Sequence, residues 1–178
     1  LTRQNDKKFY DVEWFDADKI IAQIGALSEK YSFDIVKIGL IHFNNTITNI
    51  IYYLLKLNKD TKIIWDPVLE ASSGFVFHKT LTYELISKIT AKTYLITPNI
   101  LEAKVLTNDA EHLNQALLCM VNNINIKCSI LLKGGHTADK IKNDILFSGG
   151  KQFILKGEAI SGYDKHGTGC VLSSAVAA

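Results

Sequence analysis

The chain has 178 residues, 47% of them apolar and 21% charged, with a formal net charge of +2; this suits one globular domain and excludes a strongly basic nucleic-acid or membrane-binding surface. Three cysteines, Cys119, Cys128 and Cys170, lack CxxC spacing, which excludes a disulfide framework and a structural zinc site and fits a reducing cytoplasm. No apolar run approaches the roughly 20 residues that span a bilayer, and no signal peptide is visible.

The elements alternate between two periodicities. A helix is expected over Ile20, Ile24, Leu27 and Tyr31, behind a cap at Asp16 or Asp18. A buried strand follows at Asp34–Gly39, rich in β-branched residues. Asn44 and Asn45 precede a helix through Ile47, Ile50, Ile51, Leu54 and Leu55. The next strand is Lys62–Trp65, followed by a helix through Leu81, Leu85, Ile86 and Ile89. Tyr94–Thr97 is a strand, Pro98-Asn99 announces a helix, and Leu113, Leu117, Leu118 and Val121 mark another. Ser129–Leu132 is the last of the buried strands. Asp144–Phe147 and Gln152–Leu155 flank Ser148-Gly149-Gly150-Lys151 and predict a hairpin. A final apolar helix opens near Cys170.

Strand-helix alternation with near-continuous apolar strands predicts an α/β fold: a mainly parallel sheet covered by helices on both faces, with a small β-hairpin near residues 144–155. Ligands bind such sheets outside the carboxyl ends of the strands. Four segments stand there: Gly39-Leu40, Asp66-Pro67, Thr97-Pro98-Asn99 and Lys133-Gly134-Gly135.

The chemistry concentrates at Gly167-Thr168-Gly169-Cys170. Glycines before a helix start leave outward-facing N–H groups that suit a phosphoryl group. Cys170 then falls in the first helical turn, where a thiol pKa tends to drop. The alternative is a Gly-rich turn with Cys170 as a small core residue. Asn99 and Glu102 have the spacing of a capping pair, and equally of an amide and a carboxylate that hold Mg²⁺ through water. Lys133-Gly134-Gly135 allows close backbone approach to a nucleotide, or makes an ordinary tight turn; His136 after it reads as a surface residue. Asp66 can face phosphates and metal, or cap a loop. Ser72-Ser73-Gly74 resembles a substrate-closing loop.

In this order the segments resemble the ribokinase superfamily, and most of all the hydroxymethylpyrimidine/phosphomethylpyrimidine kinases of thiamine biosynthesis. The carrying residues are Leu1–Asn5, Val36–Leu40, Trp65–Val68 with Ser73-Gly74, Ile96–Ala103, Leu131–His136 and His166–Ala175. Sugar-kinase relatives usually carry Asp where Cys170 stands. The resemblance implies an ATP- and Mg²⁺-dependent kinase whose acceptor is a small pyrimidine alcohol or its monophosphate, working as a cytoplasmic homodimer. It implies that Gln4 contacts the pyrimidine and that Gly39 and Leu40 line its pocket. Asp66, Asn99, Lys133, Gly134 and Gly135 fall to the nucleotide, and Glu102 with Asn99 to Mg²⁺. Gly167, Thr168 and Gly169 form an anion hole, and Cys170 is the base for the acceptor hydroxyl. Leu40 stands where a Met is common. Leu1 is no initiator Met and the chain stops within an apolar run, so residues 1–178 are expected to be one kinase domain incomplete at both ends. A pyridoxal-type kinase and a non-catalytic nucleotide-binding regulatory domain are the alternatives.

Overall fold

The computed structural model describes residues 1–5, 8–71, 73–78, 81–109, 111–122, 128–134, 141–158 and 167–178. Its centre is a six-stranded sheet in the order β3-β4-β5-β6-β7-β8. Strands β3 (Ile35–Ile38), β4 (Lys62–Trp65), β5 (Leu95–Ile96) and β6 (Ser129–Leu132) run parallel. β7 (Ile141–Ser148) and β8 (Lys151–Glu158) extend the sheet antiparallel. The expected α/β sheet is therefore present. The hairpin is longer than 144–155, and its turn is Gly149-Gly150, both at positive φ (55° and 73°), as a tight hairpin turn requires.

Helices α1 (Ala17–Ser28), α2 (Asn45–Leu57), α3 (Tyr83–Thr90), α4 (Ile100–Thr107) and α5 (Leu113–Asn122) precede or separate these strands. Their apolar residues, including Ile47, Ile51, Ile89, Leu106 and Leu117, pack with Ile38, Ile63, Trp65, Ile96 and Ile130 into the main core. On the other face Ile64, Leu95 and Leu131 pack with Leu146 and with Ala177 of α6 (Thr168–Ala177). Residues 63–65 of β4 are all buried, which explains why the strand reads as a continuous apolar run. Burying one such Ile or Leu side chain stabilises the fold by about 1.5–3 kcal/mol.

The caps follow the sequence closely. Asn44 accepts from the Thr46 N–H, and Thr82 from the Leu85 N–H, so α3 starts at Tyr83 rather than Leu81. Asp16 is the N-cap residue of α1 but makes no side-chain cap bond. A two-stranded antiparallel flap, β1 (Thr2–Gln4) with β2 (Phe9–Val12), has no counterpart in the sequence expectations. It is pinned by rings. Phe9 stacks on Phe75 at 4.0 Å and meets Phe77 edge-on at 5.4 Å, while Trp14 just beyond β2 stacks on His42 at 5.1 Å. These contacts tie the flap to the segments that follow β3 and β4.

Candidate active site

Asp66 follows β4, and its N–H donates to the Ile38 carbonyl at 2.9 Å, so the ladder to β3 runs to the strand ends. The residue is only 1% exposed. A carboxylate that far from water needs partners, and Asp66 has several. Its Oδ1 accepts from Lys133 Nζ at 2.9 Å and from Thr97 Oγ1 at 3.2 Å. Its Oδ2 accepts from Ser173 Oγ at 2.9 Å, with Lys37 Nζ 3.7 Å away. Residues from β3, the ends of β4, β5 and β6, and α6 thus converge on one carboxylate.

Gly167 begins α6 at φ 86°, a left-handed conformation that costs glycine little. A Cβ there would meet no atom within 4 Å, so this bend lies open. At Gly169 a Cβ would stand 3.3 Å from Lys133 Nζ; the missing side chain leaves the lysine's ammonium group beside the helix start. Thr168 is exposed at the same end. The first N–H groups of a helix have no intrahelical partner, and here they adjoin a lysine.

Cys170 is exposed as a residue, yet partial burial of its sulfur pushes the thiol pKa up. The Asp66 carboxylate raises it further, and Lys37 and Lys133 pull against that shift. The shift runs opposite to the lowering expected from helix position, with desolvation as its largest cause. The resting group is the neutral thiol.

Asn99 and Glu102 form a complete capping box at α4. The Asn99 N–H donates to Glu102 Oε2 at 2.7 Å, and the Glu102 N–H donates to Asn99 Oδ1 at 2.8 Å. Glu102 is buried, and burial drives its pKa to about 7 against the Asn99 N–H and Lys133. A bridge between Asn99 and Lys133 sets this cap beside the Asp66 cluster. Among the described residues no group of three or more His, Cys, Asp or Glu could hold a metal ion. Mg²⁺ is commonly held by one or two protein oxygens and by substrate phosphates, and Asn99 and Glu102 are the residues that could supply those oxygens here.

Gly134 donates its N–H to Asp144 Oδ1 at 2.8 Å. A Cβ at Gly134 would collide with the Asn143 carbonyl, so packing against β7 requires the glycine. Gly135 lies outside the described residues, as do His136 and Ser72.

On the other side of Asp66, Gly39 and Leu40 follow β3, with Leu40 36% exposed. Gln4 on the flap donates through Nε2 to Thr2 Oγ1 at 3.2 Å. Its Oε1 is buried without a hydrogen-bond partner among the described residues. An unsatisfied buried acceptor is costly, so this amide suits a ligand donor.

Sequence reasoning gave Lys37 and Ser173 no role in the site, and it set Thr97 at a ligand-binding strand end without assigning it one. A lysine inside the apolar strand Ile35–Ile38 was one available signal. Ser173 lies three residues after Cys170, on the same face of α6.

A profile described as phosphomethylpyrimidine kinase matches residues 1–178. The hydroxymethylpyrimidine/phosphomethylpyrimidine kinase of Aquifex aeolicus is 33% identical over 100% of this chain and 71% of its own length. The crystal structure of phosphomethylpyrimidine kinase from Clostridium difficile 630 superposes with a TM-score of 0.70 at 27% identity, covering 99% of this chain and 81% of that one. Pyridoxal kinase from Staphylococcus aureus in complex with AMP-PCP gives a TM-score of 0.78 at 20% identity, over 99% of this chain and 65% of that one, a likeness of fold.

Proposed function

This chain belongs to the phosphomethylpyrimidine kinase family, and from that premise we propose that it transfers the γ-phosphoryl group of ATP to hydroxymethylpyrimidine and to its monophosphate. The observation that carries this is the meeting of the α6 start with Lys133 and Asp66 at the carboxyl edge of the sheet. Phosphoryl transfer needs alignment and charge neutralisation more than covalent help from the protein. The N–H groups at Gly167, Thr168, Gly169 and Cys170, with Lys133, would neutralise charge on the transferring group. Asp66 holds Lys133 in place through a 2.9 Å ion pair.

Asn99, Lys133, Gly134 and Gly135 take the nucleotide side. Gln4, Gly39 and Leu40 take the acceptor side, where the partnerless Gln4 Oε1 would accept from a pyrimidine amino group. Cys170 removes the proton of the acceptor hydroxyl, acting through the minor thiolate fraction that its raised pKa allows. Glu102 and Asn99 would hold Mg²⁺, which would supply charge neutralisation at the phosphates. A homodimer and a cytoplasmic location complete the proposal on family likeness; among the described residues no helix is long and apolar enough to cross a membrane.

ADP release by the full-length protein, measured with hydroxymethylpyrimidine, its monophosphate and pyridoxal, tests the proposal. Turnover with pyridoxal alone overturns the pyrimidine assignment, and turnover with none of the three overturns the kinase.

A further inference from the structure

Two ammonium groups flank one buried carboxylate. Lys133 Nζ lies 2.9 Å from Asp66 Oδ1 and Lys37 Nζ lies 3.7 Å from Oδ2, with lysine side chains 12% and 20% exposed. Asp66 neutralises one of them. Among the described residues no second carboxylate lies within 4 Å of either ammonium group, and largely buried cations call for an anion.

The lysines are not equivalent. The strand order β3-β4-β5-β6 sets Lys37 on one side of Asp66 and Lys133 on the other. Lys133 bridges to Asn99 and adjoins Gly169, the nucleotide side. Lys37 adjoins Gly39: a Cβ on that glycine would come within 2.8 Å of Lys37 Nζ. The ammonium group therefore rests against bare backbone at the acceptor side. α6 packs on β3, bringing Lys37 close enough to act on the Cys170 thiol. Its 3.7 Å approach to Asp66 is too long for a hydrogen bond, so its donors are not committed to that carboxylate.

Resting on the kinase assignment above, we propose that Lys37 holds the phosphate of a phosphorylated acceptor, so that binding of the monophosphate depends on it and binding of the free alcohol does not. In the second transfer an anionic phosphate oxygen of the acceptor forms the new P–O bond to the γ-phosphorus. The bond from that phosphorus to the bridging oxygen breaks, and ADP leaves with its electron pair. No proton has to be removed from the attacking oxygen. The requirement is a cation that lets two phosphate groups approach, and Lys37 stands between the pocket at Gly39 and the α6 start.

Binding without nucleotide isolates this role. Calorimetric titrations of hydroxymethylpyrimidine and of its monophosphate are run on full-length wild type, Lys37→Met and Lys37→Arg, with a melting curve for each so that affinities refer to folded protein. Lys37→Met should weaken monophosphate binding roughly 10- to 100-fold, the share of a charge-assisted contact, and alter alcohol binding less than about 2-fold. Lys37→Arg should recover most of the loss. Equal losses on both acceptors, or unchanged monophosphate binding in Lys37→Met, overturn the role of Lys37. A wild type that binds neither acceptor overturns the underlying kinase assignment instead.

Discussion

The Ser173 hydroxyl donates to Asp66 Oδ2 at 2.9 Å across 107 residues of chain, and it also lies 3.1 Å from the Cys170 carbonyl. One side chain thereby fixes α6 to the end of β4 and sets the height of the helix start over the Asp66 cluster. Ser173 is fully buried, so its loss cannot be made good by bulk water. Ser173→Ala should cost about 1.5–3 kcal/mol of unfolding free energy, the range for a hydrogen bond to a charged group. It should also lower kcat, because the N–H groups proposed to receive the transferring phosphoryl group shift. Urea unfolding beside kinetics checks both; an unchanged unfolding free energy would mean the hydroxyl contributes nothing there.

Asp66→Asn removes the only carboxylate that contacts both Lys37 and Lys133 within 4 Å among the described residues. Breaking a buried pair from one side typically costs about 3–5 kcal/mol, because the partner stays buried and uncompensated. The variant should therefore melt early in low salt, and added inorganic phosphate should recover part of the loss by supplying the missing negative charge. Melting curves with and without phosphate distinguish this from a generic packing defect, which phosphate would leave untouched.

Glu102 gives the fold a pH dependence of defined sign. Its folded-state pKa is raised from 4.5 to about 7, chiefly by burial, so the folded chain binds that proton more tightly than the unfolded chain does. The associated stability is fully present below pH 4.5 and is lost as pH rises through about 7. The difference is on the order of 3 kcal/mol. Glu102→Gln keeps an acceptor for the Asn99 N–H and removes the titration, so its unfolding free energy should be flatter than wild type between pH 5 and 7 by roughly that amount. Turnover per folded molecule separates the two roles of this residue: a pure cap leaves it intact, whereas loss of Mg²⁺-dependent turnover supports the metal role. Parallel pH slopes in the two proteins would count against the raised pKa.

The sheet was legible because β4 and β6 are buried on both faces and read as unbroken apolar runs, and because Asn44 and Asn99 announce α2 and α4 by their caps. The flap was not. Thr2–Gln4 and Phe9–Val12 are short and half-exposed, and rings from elsewhere in the chain hold them. The convergence on Asp66 was visible only in part. Lys133 stood out beside glycines, whereas Lys37 looked like a polar interruption in a strand and Ser173 like one small residue in an apolar helix. Which charges meet depends on strand order, and spacing along the chain does not encode that. The same limit applies to the Cys170 pKa: a helix start lowers a thiol pKa locally, but here burial raises it, and the Asp66 carboxylate that adds to the rise stands at the end of β4.

Cys170 carries the last prediction, which separates a base from a packing residue. A thiol with a raised pKa is a poor base at neutral pH and a better one as pH rises. Phosphorylation of the free alcohol by the wild type should therefore increase with pH above neutrality. Cys170→Ala should lose that increase together with roughly 10²–10⁴ of the rate, the usual share of acid–base catalysis. Cys170→Asp should keep measurable activity and move the rise to acid pH, because a carboxylate is ionised at neutral pH. Transfer onto the monophosphate should be less sensitive to Cys170→Ala, since the attacking oxygen is already ionised. A covalent role would instead leave a phosphate-sized adduct in intact mass spectra during turnover, absent from the Ala variant. Full activity on the alcohol in Cys170→Ala, with only its melting temperature reduced, would leave Cys170 as a packing residue.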